Sequence, residues 1–200
     1  MICGSQTKPI YNLLVNKDTA FSIQSAGVLT RERQTNKDIA KMLNYYSKQG
    51  VLRNIRKGIY VKREYDPREV ACLMYPPCYI SLQYVLQRGG VIFQYDDTFT
   101  CVSYLSREIE IDGYVYNYRR IKPEIIINMV GIERVGNLNI ATPERAFLDM
   151  YYLYPTFYFD YPDILKKDLI KEILPIYRNK NLEKRVCKLL NITDYEQGEA

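Results

Sequence analysis

The sequence predicts an α+β protein, and three observations predict it. Residues Thr35 to Arg63 read as a capped helix, a glycine stop and a short basic hairpin. Residues 98–121 and 133–141 read as strands turning at Asp112-Gly113 and Gly136-Asn137, the signature of hairpins in an antiparallel sheet. The stretches Thr142 to Tyr151 and Ile164 to Leu190 carry apolar residues at helical spacing and supply helices to flank that sheet.

The N-terminal elements follow in order. Residues 5–15 place Ile10, Leu13 and Leu14 on one side of a first helix. Ser22 to Leu29 is a second, short helix, with Phe21, Ile23, Ala26 and Leu29 apolar. Thr30 to Gln34 is a polar turn carrying Arg31 and Arg33. Thr35 then caps a third helix and Asp38 answers it three residues on, a reciprocal arrangement that satisfies two orphan amide donors. Ile39, Leu43 and Tyr46 form the apolar face of this helix, and Lys37, Lys41, Asn44, Tyr45 and Lys48 fall on the other. Gly50 stops it where a left-handed residue is wanted. Val51 to Ile55 reads as a strand, Arg56-Lys57-Gly58 as a tight turn, and Ile59 to Lys62 as the return strand. Three helices and a basic hairpin within about 65 residues make the winged form of the helix-turn-helix, which lays a helix in the DNA major groove and a hairpin on the phosphates.

Charge agrees with this placement. Residues 1–66 hold twelve Lys or Arg against five Asp or Glu, a balance of +7, whereas residues 67–200 hold 16 against 18. The whole excess of +5 is therefore N-terminal, and only the first module suits a polyanion. The candidate DNA-contacting residues are Arg31, Arg33, Thr35, Asn36, Lys37, Lys41, Asn44, Tyr45, Lys48, Arg53, Arg56 and Lys57, the last two at the hairpin tip as phosphate contacts.

Tyr65-Asp66-Pro67 marks a boundary, giving domains 1–66 and 67–200. Pro67 opens a helix running to Tyr75, and Pro76-Pro77 ends it. Ser81 caps a short helix, Leu82 to Gln87, closed by Gly89-Gly90. Strands are expected at Thr98–Tyr104, Glu108–Ile111, Tyr114–Ile121, Ile125–Met129 (an apolar run of buried-strand type), Glu133–Val135 and Leu138–Ala141. Arg119, Arg120 and Lys122 form the one local cationic cluster here, a candidate contact for an acidic partner or DNA. Thr142 caps the next helix with Pro143 in its first turn, and Arg145 and Asp149, four apart, are expected to pair on its surface. The tail Ile164 to Leu190 is helical, broken near Pro175 and Asn179, and the last ten residues are polar and expected to fray.

Composition narrows the function classes. No apolar run approaches the ~20 residues of a membrane-spanning helix, and the N-terminus lacks a signal-type apolar stretch, so a cytoplasmic protein is expected. The five cysteines, Cys3, Cys72, Cys78, Cys101 and Cys187, show neither a disulfide framework nor C-x-x-C spacing, and are expected to be small buried hydrophobes. Histidine is absent, which removes the commonest general base and metal ligand. Neither a cofactor, a metal site nor catalysis is expected.

Three segments in order resemble the AbiEi family of bacterial antitoxins. They are Gly50 to Val61 with Arg56, Gly58 and Tyr60; Tyr79 to Ile92, starting tyrosine-isoleucine-serine-leucine; and Ile140 to Leu153, with Pro143-Glu144-Arg145-Ala146 and Leu148-Asp149. The resemblance covers roughly residues 20–155. It implies an N-terminal winged helix that binds operator DNA and represses its own operon. It also implies a C-terminal module that counters a nucleotidyltransferase-like toxin of a type IV toxin–antitoxin pair linked to abortive phage infection. Direct contact with that toxin stays open.

Two other readings compete. One is a winged-helix regulator whose C-terminal module senses a ligand or protein. The other is a metal-dependent nuclease using Asp96, Asp97, Glu108, Glu110 and Asp112, disfavoured because Glu108 and Glu110 alternate on one strand face, as a solvated face does.

Overall fold

A computed structural model describes residues 9–30 and 35–192 of the chain. Its N-terminal part contains α1 (Pro9–Val15), β1 (Ala20–Ser22), α2 (Ile23–Thr30), α3 (Asn36–Lys48), β2 (Arg53–Arg56) and β3 (Ile59–Val61). The strands form an antiparallel sheet of order β1-β3-β2. β1 lies outside the sequence expectation, because three residues leading into a helix carry no periodic signal of their own. Leu14 departs from it too: Ile10 and Leu13 are buried, but Leu14 is 41% exposed. The hairpin strand begins at Arg53 rather than Val51, since Leu52 is pulled into the core. The expected turn at Thr30–Gln34 lies largely outside the described residues, as do Arg31 and Arg33 themselves.

The α3 helix forms as its sequence dictates. The Asp38 N–H donates to Thr35 Oγ1 at 3.3 Å, and the Thr35 N–H donates back to Asp38 Oδ2 at 3.2 Å. The Thr35 hydroxyl hydrogen bond holds the Asp38 carboxyl below the usual carboxylate range. Gly50, at φ +72°, takes the left-handed turn that ends the helix.

The remainder holds α4 (Pro67–Met74), β4 (Cys78–Ile80), α5 (Gln83–Arg88), β5 (Phe99–Ser103), β6 (Arg107–Ile111), β7 (Tyr114–Arg120), α6 (Pro123–Ile126), β8 (Ile132–Val135), β9 (Leu138–Ala141), α7 (Pro143–Leu153), α8 (Lys167–Ile173) and α9 (Lys180–Leu190). Short 3₁₀ turns at Pro162–Ile164 and Leu174–Tyr177 flank α8. The class is α+β, but the six-stranded sheet, of order β6-β7-β5-β4-β9-β8, is mixed rather than antiparallel. β5 with β7 and β4 with β9 run parallel. The β6–β7 hairpin forms locally, as its Asp112-Gly113 turn predicts, yet it is β7 that lies beside β5. All five residues of β5 are buried, so its alternation does not mark a wet face.

Two further expectations fail. Ile125–Met129 is not a strand: Pro123 presets a helical first turn, Ile125 and Ile126 are buried, and Ile127 and Met129 are exposed. Ser81 does not cap α5, since its hydroxyl is committed elsewhere. The N–H of Tyr84 is satisfied instead by Thr100 Oγ1 at 2.9 Å.

Two hydrophobic cores result, and the small sheet serves both. Pleating sends Phe21 and Tyr60 into a cluster with Leu13, Ile39 and Leu43. Ala20, Ile59 and Val61 face the other way and join the larger core with α4. Polar contacts reinforce this joint. Glu69 accepts from the N–H groups of Thr19 and Ala20, both at 2.7 Å, and Asn137 Nδ2 donates to the Ala20 carbonyl at 2.9 Å. The C-terminal tail belongs to the large core, where Tyr177, Leu182, Val186 and Leu190 are buried. Among the described residues no helix is long and apolar enough to cross a membrane.

Candidate nucleic-acid interface

The face of α3 turned away from Ile39 and Leu43 is exposed along its length. Thr35, Asn36, Lys37, Lys41, Asn44, Tyr45 and Lys48 all lie in solvent. The spacing 37, 41, 44, 45, 48 follows the helical repeat, so three ammonium groups, one amide and one phenol share a single stripe. Asn44 is also structural: its Oδ1 accepts from the Tyr60 hydroxyl at 2.8 Å, tying the stripe to β3. Tyr45, 58% exposed, stands edge-on to Tyr46 at 5.1 Å. Among the described residues, Lys37, Lys41, Lys48 and Lys57 make no salt bridge.

The hairpin arginines are placed differently from the sequence expectation. Arg56 is half-buried: its Nη2 donates to the Tyr75 hydroxyl at 3.0 Å, and its guanidinium lies 5.4 Å from the Tyr75 ring centre. Arg53 pairs with Asp112 at the tip of the β6–β7 hairpin, and Tyr65 donates to the same carboxylate at 2.7 Å. These bonds, that of Tyr65 foremost, hold the Asp112 carboxyl below the usual range. Lys57 stands exposed at the turn. The free cations of the two elements are therefore the α3 lysines and Lys57, while both hairpin arginines are engaged by the second half of the chain.

The C-terminal cluster is partly brought together. Arg120 and Lys122 are exposed and line a shallow cleft of about 280 Å³ with Ile121, Pro123 and Tyr152, and Arg119 is half-buried beside it. The acidic residues disperse. Asp112 is held by Arg53 and Tyr65, Glu108 accepts from Asn117, Asp97 accepts from Tyr95, and Asp96 from the Thr98 N–H. Among the described residues no three His, Cys, Asp or Glu side chains gather to hold a metal ion. No protein-family model matches the chain, and no curated protein matches its sequence.

Arg145 and Asp149 do not pair on a helix surface. Both are fully buried, with Arg145 Nε 3.6 Å from Asp149 Oδ1. Asp149 also accepts from the hydroxyls of Tyr177 at 2.6 Å, Ser81 at 2.8 Å and Tyr79 at 3.1 Å. Arg145 donates to the carbonyls of Ile125 at 2.7 Å and Val130 at 2.9 Å, and to the Tyr79 hydroxyl at 3.1 Å. Burial pushes the Asp149 carboxyl up, against the pull of Arg145 and the three hydroxyls. Glu144 accepts from the Lys166 N–H at 3.1 Å. Spacing alone puts Arg145 and Asp149 on one face; that this face is the inner one follows from Ala146, Phe147, Leu148 and Met150 being buried around the helix as well.

Proposed function

We propose that the chain is a DNA-binding antitoxin of the AbiEi type, in which residues 1–66 act as a winged helix repressing their own operon and residues 67–200 counter a nucleotidyltransferase-like toxin. The observation that carries the first half is the stripe of exposed α3 side chains, Lys37, Lys41, Asn44, Tyr45 and Lys48, on a helix held by its capping box. Thirteen residues span about 20 Å, a length that suits the major groove. Lys57 at the hairpin turn stands ready for a backbone phosphate, so phosphate neutralisation makes binding salt-dependent.

The second half rests on the three resembling segments. What supports treating the last two as one unit is that Tyr79 and Ser81 of one meet Arg145 and Asp149 of the other in a single buried network. That network is buried, so it holds the fold together and offers no surface to a partner.

The test uses the full chain. Lys37→Glu with Lys41→Glu is expected to abolish operator binding and promoter repression. The same variant, co-expressed with the nucleotidyltransferase-like toxin that this reading expects in the neighbouring gene, is expected to restore growth. Repression that survives the double change overturns the placement of α3 in the groove. Failure of the folded wild-type chain to restore growth overturns the antitoxin reading and leaves the DNA-binding one standing.

A further inference from the structure

Two loops of the C-terminal half are laced together at the surface. The N–H groups of Asp160 and Tyr161 both donate to the Val91 carbonyl at 3.1 Å, and the Phe93 N–H donates to Asp160 Oδ2 at 2.9 Å. The rings of Phe93 and Tyr161 then meet edge to face at 4.9 Å. Nothing in the fold covers them: Phe93 is 67% exposed and Tyr161 51%, with Ile164, three residues on, at 56%. Exposed aromatic and aliphatic side chains gathered in this way are the material of a protein interface.

The same loops are acidic. Asp96, Asp97 and Asp163 are exposed and Asp160 is half-buried. Residues 89–106 and 146–165 contain no Lys or Arg. Three of the four carboxylates accept from neutral groups, Asp96 from the Thr98 N–H, Asp97 from the Tyr95 hydroxyl and Asp160 from the Phe93 N–H. None of the four pairs with a cation among the described residues. The flanking cations are Arg88, which stands over the Tyr84 ring at 3.6 Å, and Lys166 and Lys167 at the start of α8. The α3 stripe is the converse. Lys37, Lys41 and Lys48 share it with the exposed Tyr45, and Asp38, the one acid on the helix, is taken up by Thr35.

We propose that copies of this chain associate head to tail, with the Phe93–Tyr161 patch of one copy seated on the α3 stripe of the next. Charge complementarity selects this occupant. Carboxylates without cations meet ammonium groups without anions, and Tyr45 brings an aromatic ring to the exposed pair. A contact between two different faces is heterologous. It leaves one patch and one stripe open at the ends, so assembly grows with concentration. The stripe is also the surface that the function proposed above offers to DNA, so a duplex and a neighbouring copy exclude one another. The self-association itself does not rest on that function.

The test is sedimentation of the full chain in low salt. The weight-average mass is expected to rise with concentration to at least about twice that of the monomer. It is expected to fall back in about 1 M salt, where charges are screened beyond about 3 Å. A chain that stays monomeric at every concentration overturns the proposal. Two variants then assign the faces. Lys37→Glu with Lys41→Glu removes the stripe, and Phe93→Ser with Asp96→Asn and Asp97→Asn removes the patch. All five side chains are exposed, so neither variant disturbs a core. Each alone is expected to be monomeric. Mixed in equal amounts, they are expected to form a dimer that grows no further, since one supplies the patch and the other the stripe. Association that survives either set of changes overturns that face, and variants that stay apart when mixed overturn the head-to-tail pairing. A short duplex that binds the wild-type chain is expected to dissolve its assemblies; a duplex bound with the assemblies intact overturns the stripe as the seat.

Discussion

Arg53, on a strand of the N-terminal sheet, shares the Asp112 carboxylate with Tyr65 across the joint between the two halves of the chain. A cation counted in the N-terminal charge excess is thus held by the C-terminal half. If residues 1–66 bind DNA, phosphate and Asp112 compete for the same guanidinium. Asp112→Asn keeps the left-handed turn residue, which Asn tolerates, and removes the competing charge. Stability is expected to change by less than about 1 kcal/mol, because the pair is partly exposed. DNA affinity is expected to rise, by up to about fivefold, in a low-salt gel-shift or anisotropy titration. An affinity that falls would mean that Asp112 presents Arg53 to the duplex.

The two residues at the hairpin tip are expected to behave unequally. Lys57→Ala should flatten the dependence of log affinity on log salt by roughly one unit and weaken all sequences alike. Arg56→Ala should change the slope less and stability more, because Arg56 is packed on Tyr75. Equal slopes for the two variants would show that Arg56 leaves Tyr75 when DNA binds.

The buried network makes a stability prediction. Asp149→Ala leaves Arg145 charged and unpaired inside the core, and is expected to cost about 3–5 kcal/mol in urea unfolding. Arg145→Lys is expected to be poorly tolerated as well, since one ammonium cannot reach Ile125, Val130 and Tyr79 together. A loss below about 1 kcal/mol for Asp149→Ala would mean that water replaces the carboxylate.

Acid should loosen the joint. The folded Asp112 carboxyl lies below its unfolded value, so its contribution is fully present above the ordinary carboxylate range near pH 4. It is lost as pH falls through the folded value, because the unfolded chain then binds the extra proton. Carboxyl chemical shifts followed from pH 6 to pH 2 should place the Asp112 midpoint below that of an unpaired Asp, and Arg53→Ala should move it up.

Cutting the chain at the sequence boundary is expected to harm both pieces. Ala20, Ile59 and Val61 belong to the same core as α4, so a fragment of residues 67–200 exposes the surface they cover. Separate fragments should show lower unfolding midpoints than the intact chain; a fragment as stable as the whole would make the shared sheet dispensable.

The sequence by itself determined the local elements whose signals are short-range. Thr35 with Asp38 announced the α3 cap, Gly50 its end, Asp112-Gly113 a hairpin, and Thr142-Pro143 the start of α7. The exposed cationic stripe of α3 was legible too, because helical periodicity fixes which side chains share a face. Tertiary structure decided whatever depended on a distant neighbour. β7 rather than β6 lies beside β5, which makes the sheet mixed, and strand order is not written in alternation. Arg145 and Asp149 turn inward because Ser81, Tyr79 and Tyr177, up to 70 positions away, supply their partners. The hairpin arginines were readable as cations, but their engagement by Asp112 and Tyr75 was not. A charge is a property of the residue; whether it stays free depends on which part of the chain folds against it.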